Sequence, residues 1–265
     1  NKLLLPVDLP IASPPFFQVK SAFAFFHKGK LVLPVDVIGS DVLKTYTPFI
    51  LAMTASAFAV HADEINDHIQ ISQAITFANN YVSRGVSGSS NDPVVQGYID
   101  IAHDSGAYVG LWGTSGDDGG EIDWWGGYVY QLNADYALDF RLARFYYPGG
   151  SNHQTEGSVT LMTPWFNLSA RHDWDYGHNY YELNKALPLN DNWQLQLHAG
   201  YKNYGEKRYS PDYWAYGKAY ADAAVKLGYA LSQHQSLFVG YSWHQDNDKA
   251  HATEGKILFG LTASF

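Results

Sequence analysis

From about residue 75 to its end, the chain alternates apolar and polar side chains with a period of two. The last segment is the clearest. Ile257, Phe259, Leu261, Ala263 and Phe265 fall on one face, with Lys256, Gly260, Thr262 and Ser264 on the other. The segment before it sets Leu237, Val239, Tyr241 and Trp243 against Ser236, Gly240, Ser242 and His244. A third sets Trp193, Leu195, Leu197, Ala199 and Tyr201 against Gln194, Gln196, His198, Gly200 and Lys202. The pattern recurs over 220–229, 180–187, 165–174, 155–162, 136–146, 122–132, 107–113, 95–101 and 75–83, and no 3.6-residue stripe competes with it. Strands of about ten residues that alternate in this way predict an all-β, transmembrane, antiparallel up-and-down β-barrel, because one face meets lipid and the other the lumen. Twelve such strands, an even number, put both termini on one side.

The connections support this reading. Short ones (103–106, 133–135, 162–165, 188–191 and 231–235) alternate with a second set that is mostly longer and more polar (86–92, 114–120, 148–153, 204–212 and 245–253). Only 175–178 is a short member of the second set. Periplasmic turns and outer loops of bacterial barrels alternate in the same manner.

Charge segregates by face as well. The expected lumenal, pore-lining residues are Arg84, Asp100, Glu121, Asp123, Asp139, Arg141, Glu156, Arg171, Asp173, Glu182, Lys202, Asp222, Lys226 and Lys256. The opposite faces carry only Arg144 and Lys185, each placed near a strand end where a long side chain can snorkel to the interface. A charge at the lipid midplane costs about 2–4 kcal/mol, which accounts for the separation. Aromatics gather at strand ends, with Tyr136, Trp165 and Trp193 at one rim and Trp112, Trp124, Trp174 and Trp243 toward the other. This is the expected interfacial girdle.

Composition narrows the class. Aromatic residues make up 16% of the 265, no Cys is present, and the net charge is −9. Thiolate metal sites, disulfides and thiol catalysis are excluded, and an acidic chain lacks the basic face of a nucleic-acid binder. Residues 43–62 read as a secretory signal: Lys44, an apolar stretch from Pro48 to Val60, then Val60-His61-Ala62 with small residues at the cleavage positions. The signal is therefore placed at 42–62, with cleavage before Asp63. Residues 1–41 lie upstream of it and read as a non-native extension. Residues 63–73 are expected to form a periplasmic N-terminal arm, and 74–265 the barrel.

Catalytic motifs are missing. The sequence contains no G-x-S-x-G elbow and no G-x-x-x-x-G-K-[ST] loop. Asp246-Asn247-Asp248 starts like a calcium loop, but His251 and Ile257 occupy the positions that need Gly and Glu. The run His172-Asp173-Trp174-Asp175-Tyr176-Gly177-His178 contains metal-ligand residue types and reads as a polar loop flanked by rim aromatics. No catalytic, metal or cofactor role is assigned to any residue. A barrel lipase would need Ser and His together on the lipid face, and His172 has no outward Ser beside it.

At this point the chain resembles the TorF-type porin family. The residues that carry the resemblance are Asn80-Tyr81-Val82-Ser83-Arg84-Gly85-Val86-Ser87, Pro93, Gln96-Gly97, and His103-Asp104-Ser105-Gly106 leading to Tyr108-Val109-Gly110-Leu111-Trp112-Gly113. Glu121-Ile122-Asp123, Gly126-Gly127-Tyr128 and Phe145-Tyr146-Tyr147-Pro148-Gly149 continue it. Asn80 stands where that family commonly has Asp. The resemblance implies an outer-membrane barrel conducting small solutes, with no catalytic residues.

The expected function is a channel in the bacterial outer membrane for passive diffusion of small hydrophilic solutes. Eight lumenal acids against six bases give it a weak cation preference. The alternative is a closed structural or adhesive barrel. The expected partners are outer-membrane lipid and lipopolysaccharide, and the barrel insertion machinery, which would read the C-terminal Phe265.

Overall fold

Ile257 and Phe259 at the end of the chain turn outward and are 66% and 57% exposed, while Leu258 between them is 1% exposed. That parity holds all round the molecule and fixes its shape. The computed structural model describes residues 25–27, 30–32, 68–204, 219–245 and 255–265. Two three-residue strands, β1 (Phe25–His27) and β2 (Lys30–Val32), pair with each other. The signal segment 42–62 and Asp63 to Asp67 of the expected arm lie outside the described residues.

Twelve strands close into one antiparallel barrel. In chain order they are β3 (Ile69–Ala78), β6 (Val94–His103), β7 (Ala107–Thr114), β8 (Glu121–Gln131), β9 (Ala137–Tyr146), β10 (Gln154–Met162), β11 (Asn167–Asp173), β12 (Asn179–Pro188), β13 (Trp193–Asn203), β14 (Ala219–Ser232), β15 (Gln235–His244) and β16 (Lys256–Ser264). Each pairs with its neighbours in sequence, and β16 meets β3 to close the ring, with Leu261 opposite Phe77 and Ala263 opposite Ile75. Closure gives every barrel strand a partner on both sides, as hydrocarbon demands. No helix among the described residues is long and apolar enough to cross a membrane.

The first strand starts earlier than the alternation suggests. It runs Ile69–Ala78, so residues 69–73 of the expected periplasmic arm are barrel wall, and 79–83 of the expected strand are not. The misleading residue is Gln73, a polar side chain at an outward position. It is nonetheless only 5% exposed, and its carbonyl accepts the Phe265 N–H at 3.1 Å, so this edge of the belt is covered by the chain's own end.

The outward face is an apolar belt that includes Val109, Phe140, Leu142, Val159, Leu183, Val239 and Phe259. A closed barrel wearing such a belt belongs in a bilayer, and barrels of this construction are bacterial outer-membrane proteins. Trp124, Trp165, Trp174 and Trp193 sit exposed at its margins. Gly157 lets Trp174 lie flat on the wall, since a Cβ there would strike the indole.

The two outward charges are handled differently. Arg144 does not merely snorkel. It pairs with Asp175 at 3.0 Å and donates to the Thr155 hydroxyl at 2.6 Å. Lys185 reaches the turn and donates to the Pro164 carbonyl at 2.8 Å.

Candidate functional site

The barrel interior holds the chemistry. Thirteen of the fourteen residues assigned to the lumen lie at inward positions of strands. Asp100, Glu121, Asp123, Asp139, Glu156, Asp173, Glu182, Lys202, Asp222 and Lys226 are buried. Lys256 is half-buried, and the Arg141 and Arg171 side chains are 6% and 13% exposed. The fourteenth, Arg84, is not on a strand face. It stands at the tip of a connection that folds inward.

That connection, residues 79–93, links β3 to β6 at the end of the barrel bearing the longer loops. The sequence reading made 86–92 an outer loop. Instead the segment forms a strap inside the barrel, with a short hairpin of β4 (Val82–Ser83) and β5 (Val86–Ser87) at its tip. The turn between them has positive φ at both residues, +50° at Arg84 and +79° at Gly85. This is the backbone sign of the tight turns that match hairpin twist. Among the described residues the three non-glycine residues with positive φ are Arg84, Ser90 and Asn91, all in the strap. Such conformations cost on the order of 1–3 kcal/mol each and persist only where surrounding structure holds them.

The holding contacts come from far along the chain. Arg84 Nη2 donates to Glu156 Oε2 of β10 at 2.6 Å, and its guanidinium lies 4.5 Å over the Tyr180 ring of β12. Burial opposes the Arg84 charge, but Glu156, Tyr180 and Glu182 outweigh it and raise the guanidinium's pKa further. Gly85 sits against β14 and β15, where an added Cβ would come within 2.8 Å of both His244 and Asp222. Tyr81 donates its hydroxyl to Glu121 of β8 at 2.9 Å and packs on Trp112 of β7, ring centroids 5.2 Å apart. Burial, then the charges of Glu121 and Asp123, push the Tyr81 pKa well up, so the hydroxyl keeps its proton and remains a donor. The strap also braces itself, through Asn80 to Asn91 at 2.9 Å and Ser87 to Asn80 at 2.7 Å.

Trp112 is therefore a correction. It was expected in the rim girdle, yet it is 1% exposed and faces inward. The parity of β7 explains this, because Trp112 is in phase with the inward Tyr108 and Gly110 rather than with the outward Val109 and Leu111.

Beyond the strap, the wall carries a ladder of alternating charge. Glu156 faces Arg171 at 3.5 Å, and Arg171 forks onto Glu182, with Nε at 2.8 Å. His198 lies 3.9 Å from Glu182 and 2.7 Å from Asp222, and Tyr180 donates to Asp222 at 3.1 Å. A second group lies on β6 to β9. Tyr108 donates to Asp139 at 2.5 Å and accepts from Arg141 Nε at 3.0 Å, while Trp125 Nε1 donates to Asp100 at 3.0 Å. Lys226 stands apart, 5.4 Å over the Phe238 ring, and makes no ion pair among the described residues.

Sequence reading missed Tyr108, Trp125, Tyr180 and His198 as members of these networks. Their inward parity was available in the alternation. Their aromatic or formally neutral character kept them out of a list built on charge. The His172 to His178 run does not converge on a metal. His172 faces outward and bonds Asn179 at 2.9 Å, while His178 turns inward between Tyr176 and Tyr204. Among the described residues no group of three or more His, Asp or Glu side chains could hold a metal ion.

A family model described as "Bacterial protein of unknown function (Gcw_chp)" matches residues 62–265. No curated protein matches the sequence. Among solved structures the fold is similar to the NanC porin, with a TM-score of 0.52 at 10% identity, covering 74% of this chain and 99% of that one. The KdgM porin gives a TM-score of 0.50 at 11% identity, covering 74% and 99%.

Proposed function

Since the chain belongs to the Gcw_chp family, we propose that it is a porin-like channel of that family, passing small hydrophilic solutes by passive diffusion through the outer membrane. The observation that carries this reading is the opposition of faces: a closed twelve-strand ring, apolar outside and densely charged inside. A barrel needed only as an anchor has no use for so many buried charges, whose desolvation is costly. The printed names of the similar solved structures support the reading, and so does the resemblance to TorF-type porins.

The preference is weakly for cations. Eight acids against six bases leave the interior slightly negative. Asp139, Glu156 and Glu182 pair with Arg84, Arg141 or Arg171 and Asp222 bonds His198, so half of the eight acids are engaged and the mixed interior selects ions only weakly. Asp92 and Asp117 add negative charge at the strap end of the barrel and raise the local cation concentration within about 8 Å, the Debye length at physiological salt.

The exported form starts at Asp63, meets lipid and lipopolysaccharide along its belt, and offers Phe265 to the insertion machinery. No bond-making step and no cofactor is part of this function.

Single-channel recording in planar bilayers on protein purified from the outer membrane tests the reading. A salt gradient should give a small reversal potential of cation sign, and an anion-selective potential contradicts the charge argument. A second reading, a closed structural barrel, is favoured by one observation, the strap packed across the interior. Absence of conductance in the wild-type protein is the outcome that this reading expects.

A further inference from the structure

We propose that the strap at residues 79–93 is the constriction of this channel, and that Arg84 is the residue that fixes its width and its charge. The proposal rests on the channel reading and specifies where in the barrel passage is decided.

The strap leaves the wall at β3 and β6 and touches β7 through Trp112, β8 through Glu121, β10 through Glu156, β12 through Tyr180, and β14 and β15 through Asp222 and His244. In the order of the ring, β12, β14 and β15 lie on the far side of β3 and β6 from β8 and β10. A segment reaching strands in both directions from its own root crosses the bore rather than lining one side of it. A solute passing from end to end goes around this segment.

The strap is also built to stay where it is. Its internal hydrogen bonds, from Asn80 to Asn91, from Ser87 to Asn80, from Ser89 to the Asp92 carbonyl at 2.8 Å and from the Gly88 N–H to the Tyr81 carbonyl at 2.8 Å, need no help from the wall. Among the described residues, Arg84 is the strap side chain that pairs with the charge ladder, through Glu156. Glu156 is shared between Arg84 and Arg171, so the Arg84 guanidinium sets how much of that acid's charge is left for a passing solute. Removing the guanidinium frees the hairpin tip from β10 and exposes an acid at the same time.

The test uses the purified protein, with folding checked by the heat-dependent shift of barrels on gels. Four variants are compared with wild type in planar bilayers, with polymer exclusion to size the bore. They are Arg84→Ala, the conservative Arg84→Lys, a strap shortened by replacing 82–87 with two glycines, and Arg144→Ala on the lipid face as control. The expected result is a several-fold rise in conductance and passage of larger polymers for the shortened strap. A smaller rise with stronger cation preference is expected for Arg84→Ala, values nearer wild type for Arg84→Lys, and no change for Arg144→Ala. If wild type conducts and the shortened strap has the same conductance and cut-off, the constriction lies elsewhere and the proposal fails while the channel reading stands. If wild type is silent and the shortened strap conducts, the strap obstructs the bore as proposed and the native protein is the closed barrel. If no variant conducts, both the channel reading and the proposal fall.

Discussion

The Tyr81 ring packs on Trp112 with centroids 5.2 Å apart, and the two residues lie inside the barrel on a loop and on the wall respectively. An indole that looks like part of a lipid-facing girdle is the seat of the strap's first turn. The pair is buried on both sides, 6% and 1% exposed.

Replacing Trp112 with Ala should therefore cost about 3–5 kcal/mol, the range for deleting a large aromatic from a packed interior. The same change at Trp165, which is 61% exposed at the rim, should cost much less. Urea titration of the two variants in detergent measures both. Equal losses would mean that Trp112 does not carry the packing described here.

Position along the lipid face should set the cost of charge. Val159 sits mid-strand on the belt, so Val159→Arg should destabilise by about 2–4 kcal/mol, as at the midplane of other barrels. Arg144 is paired near the strand end with its partner Asp175 well exposed, so Arg144→Ala should cost less than about 1 kcal/mol. Folding titrations into lipid vesicles give the two values directly.

His178 gives a pH dependence with a defined sign. Burial, then the nearby Lys202 and Arg84, lower its pKa to about 3, against about 6.5 for a free histidine. Both ring nitrogens lack a hydrogen-bond partner among the described residues, and the Asp173 carboxylate stands 3.8 Å away. Between those two values the unfolded chain binds a proton that the folded one refuses, so this residue's contribution to stability falls as pH drops from about 6.5 toward 3 and is flat above. The His178→Gln variant should lose that part of the dependence. Denaturation midpoints at pH 7, 5 and 4 compare the two, and parallel curves would show that His178 titrates normally.

Phe265 closes the last strand and is 53% exposed, with its N–H held by Gln73. If the insertion machinery reads this residue, deleting it should slow assembly in cells while leaving detergent refolding of the purified chain nearly unchanged. Comparing heat-shifted protein in outer-membrane fractions with refolding yield separates the two. Equal loss in both would make Phe265 a structural residue.

The alternation by itself determined the barrel, because a strand between lipid and lumen must present a different chemistry on each side at every step. Glu156, Arg171, Glu182 and Asp222 were placed inward on parity alone, and Ile257 and Phe259 outward. Trp112 and His198 were within reach of the same rule, but one was read by its residue type and the other by its formal charge. Gln73 hid the start of the first strand, since a polar residue on the outward face breaks the pattern where the chain's own end covers it. Only the tertiary structure decided the course of residues 79–93. A loop has no period, and the partners that hold this one, Glu121, Glu156, Tyr180, Asp222 and His244, lie 40 to 159 residues away along the chain. Closure of the ring is what brings them round to face Tyr81, Arg84 and Gly85, and nothing local in 79–93 encodes that meeting.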